Sequence, residues 1–198
     1  KHPTDSSMPG EGWYERKIAG KPIIKTLVGR PLVKESANPE NPTLLVLHGY
    51  ESSVYPQRLK DLSKDYNIIN PPMDYENVSN LFAKTLKAVQ GKKIDMIVGS
   101  SMGGYFGYYM AKKLNVPALL FNPAVIQSTS GIKRQKVDMS GSSNPKMIIV
   151  SGNNDTIIPQ DDLEKWLKEN GKNYKFIKEN MGHQIPDDLC IKYVNKYA

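Results

Sequence analysis

From residue 43 onward, short apolar segments alternate with longer segments whose apolar residues recur at helical spacing. The short segments have the length of buried strands, and the longer ones have the length of helices. This alternation predicts βαβ crossovers, and therefore an α/β fold with a mainly parallel twisted sheet and helices on both faces. The predicted strands are 44–47, 67–69, 94–98, 118–121, 147–150 and 174–177, and the predicted helices are 56–64, 77–89, 102–114, 161–169 and 187–197.

Residues 1–42 have a different pattern. Two runs of strand-forming residues, 13–18 and 23–28, flank a turn-forming segment that contains Gly20 and Pro22, which predicts a β-hairpin. A polar connector with two Asn-Pro pairs follows it. We therefore divide the chain into an N-terminal extension, 1–42, and a main α/β domain, 43–198.

Composition bears on the partners and the cellular location that we expect for the protein. The 27 basic and 20 acidic residues give a net charge of +7, but both signs are mixed along the chain, which does not favour a nucleic-acid partner. No apolar run approaches the roughly 18 residues of a membrane span. A single cysteine, Cys190, and the absence of a targeting pattern in residues 1–10 predict a cytoplasmic protein; a segment removed before Lys1 stays an open alternative.

The segment after the predicted strand 94–98 matches the pattern G-x-S-x-G, with Gly99, Ser101 and Gly103 at its fixed positions. It lies between a predicted strand and a predicted helix, which is the context that this nucleophile motif requires. Glycines allow the chain to reverse sharply between neighbouring elements. Ser101 is the candidate nucleophile, and a Gly-Ser turn that merely starts a helix is the alternative interpretation.

A serine hydroxyl needs a base to remove its proton. His2 lies in the polar terminus, and His48 directly follows the first core strand. His183 follows the last predicted strand and has Gly182 beside it, so it is the candidate base. His48 stays a rival base, although it precedes the serine in the chain and we expect a structural role for it.

The third group should be an acid that orients the base. Asp155 lies in the turn that follows the predicted strand 147–150. The resulting chain order of serine, aspartate and histidine is the order of α/β-hydrolases and differs from that of two other serine protease folds. A turn-forming or helix-capping Asp is the alternative interpretation.

An acyl-transfer site also needs hydrogen-bond donors for a developing oxyanion. One usually comes from the residue after the nucleophile and one from the loop after an earlier strand. We expect the backbone amides of Met102 and Tyr50 to be this pair, with Gly49 permitting the turn before Tyr50.

Taken together, these motifs resemble the α/β-hydrolase superfamily over residues 43–198. The Glu51-Ser52-Ser53 step, the glycine-rich turn at Ser101 and the Phe121-Asn122-Pro123-Ala124 segment are similar to those of the small YqiA-like serine esterases. The resemblance implies that residues 43–198 are a catalytic domain with Ser101, Asp155 and His183 in the triad positions. It also implies a small-molecule or acylated substrate and no metal or organic cofactor.

The chain departs from these esterases in two places. Residues 1–42 have no counterpart, and we expect their hairpin to pair with the edge of the sheet; covering the site, binding another chain and self-association are the alternatives. Only 24 residues, 122–145, separate two predicted strands where lipases carry a lid domain, so we expect an open site. Lys133, Arg134 and Lys136 in this segment are either a solvated loop or a preference for anionic substrates.

The sequence therefore predicts a serine hydrolase that cleaves a carboxylic ester or thioester through an acyl-serine intermediate. The rival hypothesis is a non-catalytic α/β-hydrolase scaffold that acts as a binding or assembly module through its N-terminal extension.

Overall fold

Six parallel strands form the central sheet of the protein in a computed structural model, which describes residues 12–18, 21–28, 38–50, 55–126 and 137–198, the first two ranges as backbone only. The strand order is β4-β3-β5-β6-β7-β8, and each neighbouring pair is parallel. The strands are β3 (Thr43–Leu47), β4 (Asn67–Ile69), β5 (Met96–Ser100), β6 (Ala118–Phe121), β7 (Met147–Gly152) and β8 (Tyr174–Glu179).

Helices cover both faces of this sheet because successive strand residues point to opposite sides. On one face, Leu44 and Val98 pack with residues of α1 (Pro56–Leu62) and α5 (Asp187–Tyr197). On the other face, Leu45 and Ile97 pack with residues of α2 (Leu81–Val89), α3 (Met102–Leu114) and α4 (Gln160–Asn170). The predicted α/β fold with helices on both faces of a parallel sheet is confirmed.

The N-terminal extension contributes a β-hairpin. Strands β1 (Gly12–Ile18) and β2 (Lys21–Val28) pair antiparallel and form a two-stranded sheet of their own. Neither strand belongs to the six-stranded sheet, so the expected pairing with its edge is not found in the part of the chain that the structure describes. The boundary at residue 42 stays a proposal.

Two element boundaries differ from the predicted ones in ways that matter here: the start of α2 differs by four residues, and the end of β5 lies next to Ser101. Helix α2 begins at Leu81 rather than at residue 77, because Asp74 accepts the Asn77 amide in a local turn and Asn80 is left-handed with φ 59°. Strand β5 runs to Ser100 rather than to residue 98, since its pairing with β6 continues to the Ser100–Phe121 pair. Ser101 therefore follows directly on the strand.

Candidate active site

Ser101 lies at the reversal between β5 and α3. Its backbone has φ 52° and ψ −119°, a conformation that costs a residue with a side chain about 1–3 kcal/mol. Neighbouring chain holds it there: the Ser101 amide donates to the Phe121 carbonyl at 3.0 Å, and the Ser101 carbonyl accepts the Ala124 amide at 3.0 Å. This strained turn carries the serine beyond the end of the strand.

Glycines make the turn possible because there is no room for side chains around it. A Cβ atom at Gly99 would lie 2.4 Å from the Gly103 carbonyl oxygen, and one at Gly103 would lie 2.1 Å from the Leu47 carbonyl oxygen. Both distances are far shorter than any real carbon contact. The glycines that the motif predicted at these positions are therefore required by the close packing of α3 against β3 and β5.

His183 lies in the loop between β8 and α5 and bonds through both ring nitrogens. Its Nε2 is 2.9 Å from Ser101 Oγ, and its Nδ1 is 2.8 Å from Asp155 Oδ2. With Nδ1–H donating to the carboxylate, the Nε2 lone pair faces the serine hydroxyl and accepts from it. About one fifth of the His183 side chain is exposed, so the base is open to a substrate.

Asp155 lies in the turn between β7 and α4, and its side chain is fully buried. Its Oδ2 accepts from His183, while its Oδ1 accepts the amides of Ile157 and Ile158 at 2.8 and 2.9 Å. Both oxygens of this buried carboxylate are thus satisfied, which holds the side chain in one orientation. The structure brings Ser101, Asp155 and His183 together in one hydrogen-bonded chain; their catalytic roles stay a prediction.

The loops that carry Asp155 and His183 are packed directly on each other. A Cβ atom at Gly152 would lie 2.4 Å from the Met181 carbonyl oxygen. The Asn154 amide donates to that same carbonyl at 3.1 Å, and the Asn153 amide donates to the Glu179 carbonyl at 3.0 Å. These contacts fix the separation of the carboxylate and the imidazole through the backbone.

Asn122, the first residue after β6, is a site residue to which the sequence analysis assigned no role. It is completely buried, and its side chain bonds the backbone of the His183 loop and of the end of β7: Nδ2 donates to the Gly182 and His183 carbonyls, and Oδ1 accepts the Gly152 amide. Its position at the end of a buried strand is the signal that could have found it, since reacting groups gather at the carboxyl ends of parallel strands.

The predicted oxyanion donors lie on adjoining segments. Met102 is the first residue of α3, and Tyr50 lies three residues after the end of β3. The close approach of Gly103 to the Leu47 and His48 carbonyls presses the start of α3 against this loop. As the first residue of a helix, Met102 has no intrahelical acceptor for its amide. The roles of the Tyr50 and Met102 amides and of the Gly49 turn stay predictions.

Both ring nitrogens of His48 form hydrogen bonds with nearby backbone groups. Its Nδ1 donates to the Gly49 carbonyl at 2.8 Å, and its Nε2 accepts the Met73 amide at 3.3 Å. The Tyr75 hydroxyl donates to the His48 carbonyl, and burial raises the pKa of Tyr75 well above its ordinary value, so it stays a donor. These bonds favour the supporting role that we expected for His48 over the role of base.

Cys190 lies on α5, in the cluster that packs beneath the other face of the sheet. Burial raises the pKa of its thiol to about 11, which keeps the sulfur protonated and a poor nucleophile. The buried thiol is therefore a much weaker candidate nucleophile than Ser101.

Among the described residues, no group of three or more His, Cys, Asp or Glu side chains is arranged to hold a metal ion. No helix in those same ranges has the length and apolar character needed to cross a membrane. Lys133, Arg134 and Lys136, predicted either as a solvated loop or as contacts for anionic substrates, lie outside the described residues, as do Glu51, Ser52 and Ser53.

One known protein family matches this sequence over about half of its length. Residues 43–144 match the family described as "Uncharacterised protein family (UPF0227)". No curated protein sequence gives a significant match.

Several solved structures have a similar fold. Est1E from Butyrivibrio proteoclasticus superposes with a TM-score of 0.60 at 14% identity, over 96% of this chain and 97% of that chain. Esterase PE8 gives 0.56 at 19% identity, over 85% and 97%. MGS-MChE2, an α/β hydrolase enzyme from the metagenome of lagoon sediments of Mar Chica, Morocco, gives 0.59 at 15% identity, over 79% and 89%. At these identities the likeness establishes the α/β-hydrolase fold.

Proposed function

We propose that this protein is a serine hydrolase of carboxylic esters or thioesters. The chain belongs to the family described as Uncharacterised protein family (UPF0227), and it has the α/β-hydrolase fold. The observation that carries the proposal is the hydrogen-bonded chain from Ser101 Oγ through His183 to Asp155. A nucleophile, a base within hydrogen-bond distance and a group that orients the base are what acyl transfer to serine requires.

In the acylation step, Ser101 Oγ attacks the acyl carbon as His183 Nε2 takes the hydroxyl proton. The imidazolium that forms is stabilised by the Asp155 carboxylate 2.8 Å from Nδ1. His183 then gives its Nε2 proton to the departing alcohol or thiol, the bond from the acyl carbon to that group breaks, and an acyl-serine remains.

In the deacylation step, water takes the place of the departed group. His183 accepts a proton from the water, whose oxygen attacks the acyl carbon, and the same proton returns to Ser101 Oγ as the ester bond to the enzyme breaks. One ester and one water thus yield one acid and one alcohol, and the site is restored without any other reactant.

Both tetrahedral intermediates carry a negative oxygen that the site must stabilise. We assign this to the backbone amides of Met102 and Tyr50, as the sequence analysis expected. The start of α3 adds the positive end of its helix dipole next to Ser101. One amide donor of this kind contributes about 10²- to 10³-fold to kcat in acyl-transfer enzymes.

A fluorophosphonate probe tests the proposal because it reacts covalently with a serine that a neighbouring base has activated. We expect covalent labelling of the wild-type protein, and no labelling of Ser101→Ala or His183→Ala. The matched control is Ser100→Ala, which removes the neighbouring hydroxyl at the end of β5 and should label normally. Absence of labelling in folded wild-type protein would favour the rival hypothesis of a non-catalytic scaffold that binds partners through residues 1–42.

A panel of esters and thioesters of increasing acyl length defines the substrate class once labelling is established. Est1E has been solved with ferulic acid bound, so an ester of an aromatic acid belongs in the panel. Turnover of at least one ester, abolished by Ser101→Ala with an unchanged circular dichroism spectrum, is the result we expect. Cleavage of a peptide substrate alone would contradict the ester assignment.

A further inference from the structure

Asn122 differs from the other asparagines that adopt a left-handed backbone. Asn80, Asn115, Asn122 and Asn173 all have positive φ, which asparagine tolerates better than most residues. The first two cap helices, and those two and Asn173 have exposed side chains. Asn122, with φ 42°, has no exposed surface at all. A left-handed turn does not require its asparagine side chain to be buried. The burial of Asn122 is therefore explained by the hydrogen bonds that its side chain makes.

The donor and acceptor groups of the Asn122 side chain bond the His183 loop and the last residue of β7, which leads into the Asp155 turn. Nδ2 donates to the Gly182 carbonyl at 3.0 Å and to the His183 carbonyl at 2.9 Å. Oδ1 accepts the Gly152 amide at 2.8 Å. Only an amide in this orientation satisfies two acceptors and one donor at once, since a carboxylate has no proton to donate.

The backbone on either side of Asn122 reaches the nucleophile. The Phe121 carbonyl accepts the Ser101 amide, and the Ala124 amide donates to the Ser101 carbonyl, both at 3.0 Å. The Asn122 amide itself donates to the Val150 carbonyl on β7 at 2.9 Å. The segment 121–124 is thus bonded to the turn of Ser101, to the strand that leads to Asp155 and to the loop of His183.

We propose that Asn122 is a positioning residue that holds the loops of Asp155 and His183 in register with Ser101. The role rests on the proposed function, because it concerns the alignment of groups that transfer a proton. The side chain acts through its hydrogen bonds to the Gly182 and His183 carbonyls and the Gly152 amide. A displacement of about 1 Å between reacting groups lowers turnover up to about 100-fold.

Two variants test the role. Asn122→Asp keeps the shape and the acceptor for Gly152 but replaces the donor with an oxygen that repels both carbonyls. Asn122→Gly removes all three bonds while tolerating the positive φ, and it covers the case in which the buried carboxylate prevents folding.

Asn67→Asp is the matched control. Asn67 also donates through Nδ2 to two backbone carbonyls, of Asn38 and Asn41 at 2.8 and 2.9 Å, but at the opposite end of the sheet. We expect kcat for a small ester to fall about 10- to 100-fold in both Asn122 variants, with KM within about twofold of the wild type. The control should keep both values within about twofold of the wild type even where it loses stability.

The proton between His183 Nδ1 and Asp155 provides a second readout that does not depend on turnover. Such a hydrogen-bonded proton gives a resolved downfield NMR signal, which should shift or broaden in the Asn122 variants and stay in place in Asn67→Asp. If the wild type neither labels nor turns over esters, the proposed function fails while this signal still decides the positioning role.

Wild-type kcat per folded molecule and an unmoved downfield signal in Asn122→Gly would overturn the positioning role. It would equally be overturned if neither variant folds, since Asn122 would then belong to the folding core, or if Asn67→Asp loses as much kcat as the Asn122 variants.

Discussion

The two ends of the sheet use the same kinds of polar side chain for different purposes. At the amino ends of the strands, Asn67 bonds two backbone carbonyls, and Asp95 accepts the Thr43 amide at 2.8 Å. At the carboxyl ends, Asn122 likewise bonds the backbone, but the buried Asp155 also bonds another side chain, His183, which in turn bonds Ser101. Hydrogen bonds from side chains to the backbone hold segments of the chain in place, whereas consecutive hydrogen bonds between side chains can transfer a proton.

The backbone differs between the two ends as well. In the connection between α2 and β5, on the amino side of the sheet, Gly91 has φ 77° and open space around it. At the carboxyl end of β7, Gly152 has carbonyls so close that no side chain fits. A side chain added at Gly152 must therefore displace the backbone that carries His183, whereas one added at Gly91 displaces nothing, so we expect only the first to affect turnover.

Exchanging an aspartate for asparagine at each end gives the largest expected contrast. Asp155→Asn removes the acceptor that holds His183 with its proton on Nδ1, so kcat should fall about 10³- to 10⁴-fold. Asp95→Asn should leave kcat within about twofold, since it alters only contacts at the amino ends of the strands, with the Thr43 amide and with Lys93. Ester turnover with thermal unfolding as a check on folding measures both. Equal losses of kcat would erase the distinction between the two ends.

Exchanging a glycine for alanine at each end tests the contrast in packing. In Gly152→Ala the new Cβ must push the Met181 carbonyl away, which we expect to cost about 1–3 kcal/mol and to lower kcat because Asp155 moves relative to His183. Gly91→Ala introduces strain of about 1–2 kcal/mol from its positive φ but meets no neighbour, so kcat should not change. Urea unfolding and turnover separate the two effects; an unchanged kcat in Gly152→Ala would contradict the packing interpretation.

A polar pair near the carboxyl end of β8 should affect stability alone, and only slightly. The Tyr193 hydroxyl donates to Glu179 Oε2 at 2.6 Å, and this bond lowers the pKa of Glu179 below its ordinary 4.5. A lowered pKa in the folded state stabilises the fold above the ordinary value and loses that contribution as the pH falls through the folded pKa. Tyr193→Phe should therefore destabilise by less than about 1 kcal/mol near neutral pH, and by less still in acid.

Urea unfolding at about pH 7 and at about pH 3 measures this difference. The control is Tyr197→Phe, which removes a buried hydroxyl that has no hydrogen-bond partner among the described residues. Its effect should not vary with pH. A Tyr193→Phe effect that grows in acid would have the wrong sign for the bond, and a large loss of kcat would mean that the pair belongs to the site.

Much of this fold was predictable because strand and helix patterns are local. The buried runs around Leu44, Leu119 and Ile148 are the strands, and the glycines beside Ser101 mark its turn because only glycine fits there. The start of α2 was missed because a single Asp74 side chain stabilises a turn that competes with the helix. The hairpin was predicted, but its expected pairing with the edge of the main sheet is not found among the described residues, because strand-forming residues do not say which strand they pair with.

Part of the candidate site was likewise predictable from the sequence, and part was not. Ser101, Asp155 and His183 could be proposed from their places after strands and their order in the chain, and the structure brings them within hydrogen-bond distance. Asn122 was given no role, because an asparagine at the end of a strand is equally typical of an ordinary turn. Its partners, at Gly152 and Gly182, come together only when three strands lie side by side.

An acyl group on Ser101 is the most direct consequence of the proposed function. Wild-type protein is incubated with an ester that it hydrolyses, quenched in acid and digested, and the peptides are analysed by mass spectrometry. We expect the added acyl mass on the peptide that contains Ser101, on Ser101 itself, in the wild type and in Ser100→Ala, and its absence in Ser101→Ala. Ester turnover that persists in Ser101→Ala, or an acyl group carried by Ser100 or Cys190 instead, would contradict the mechanism.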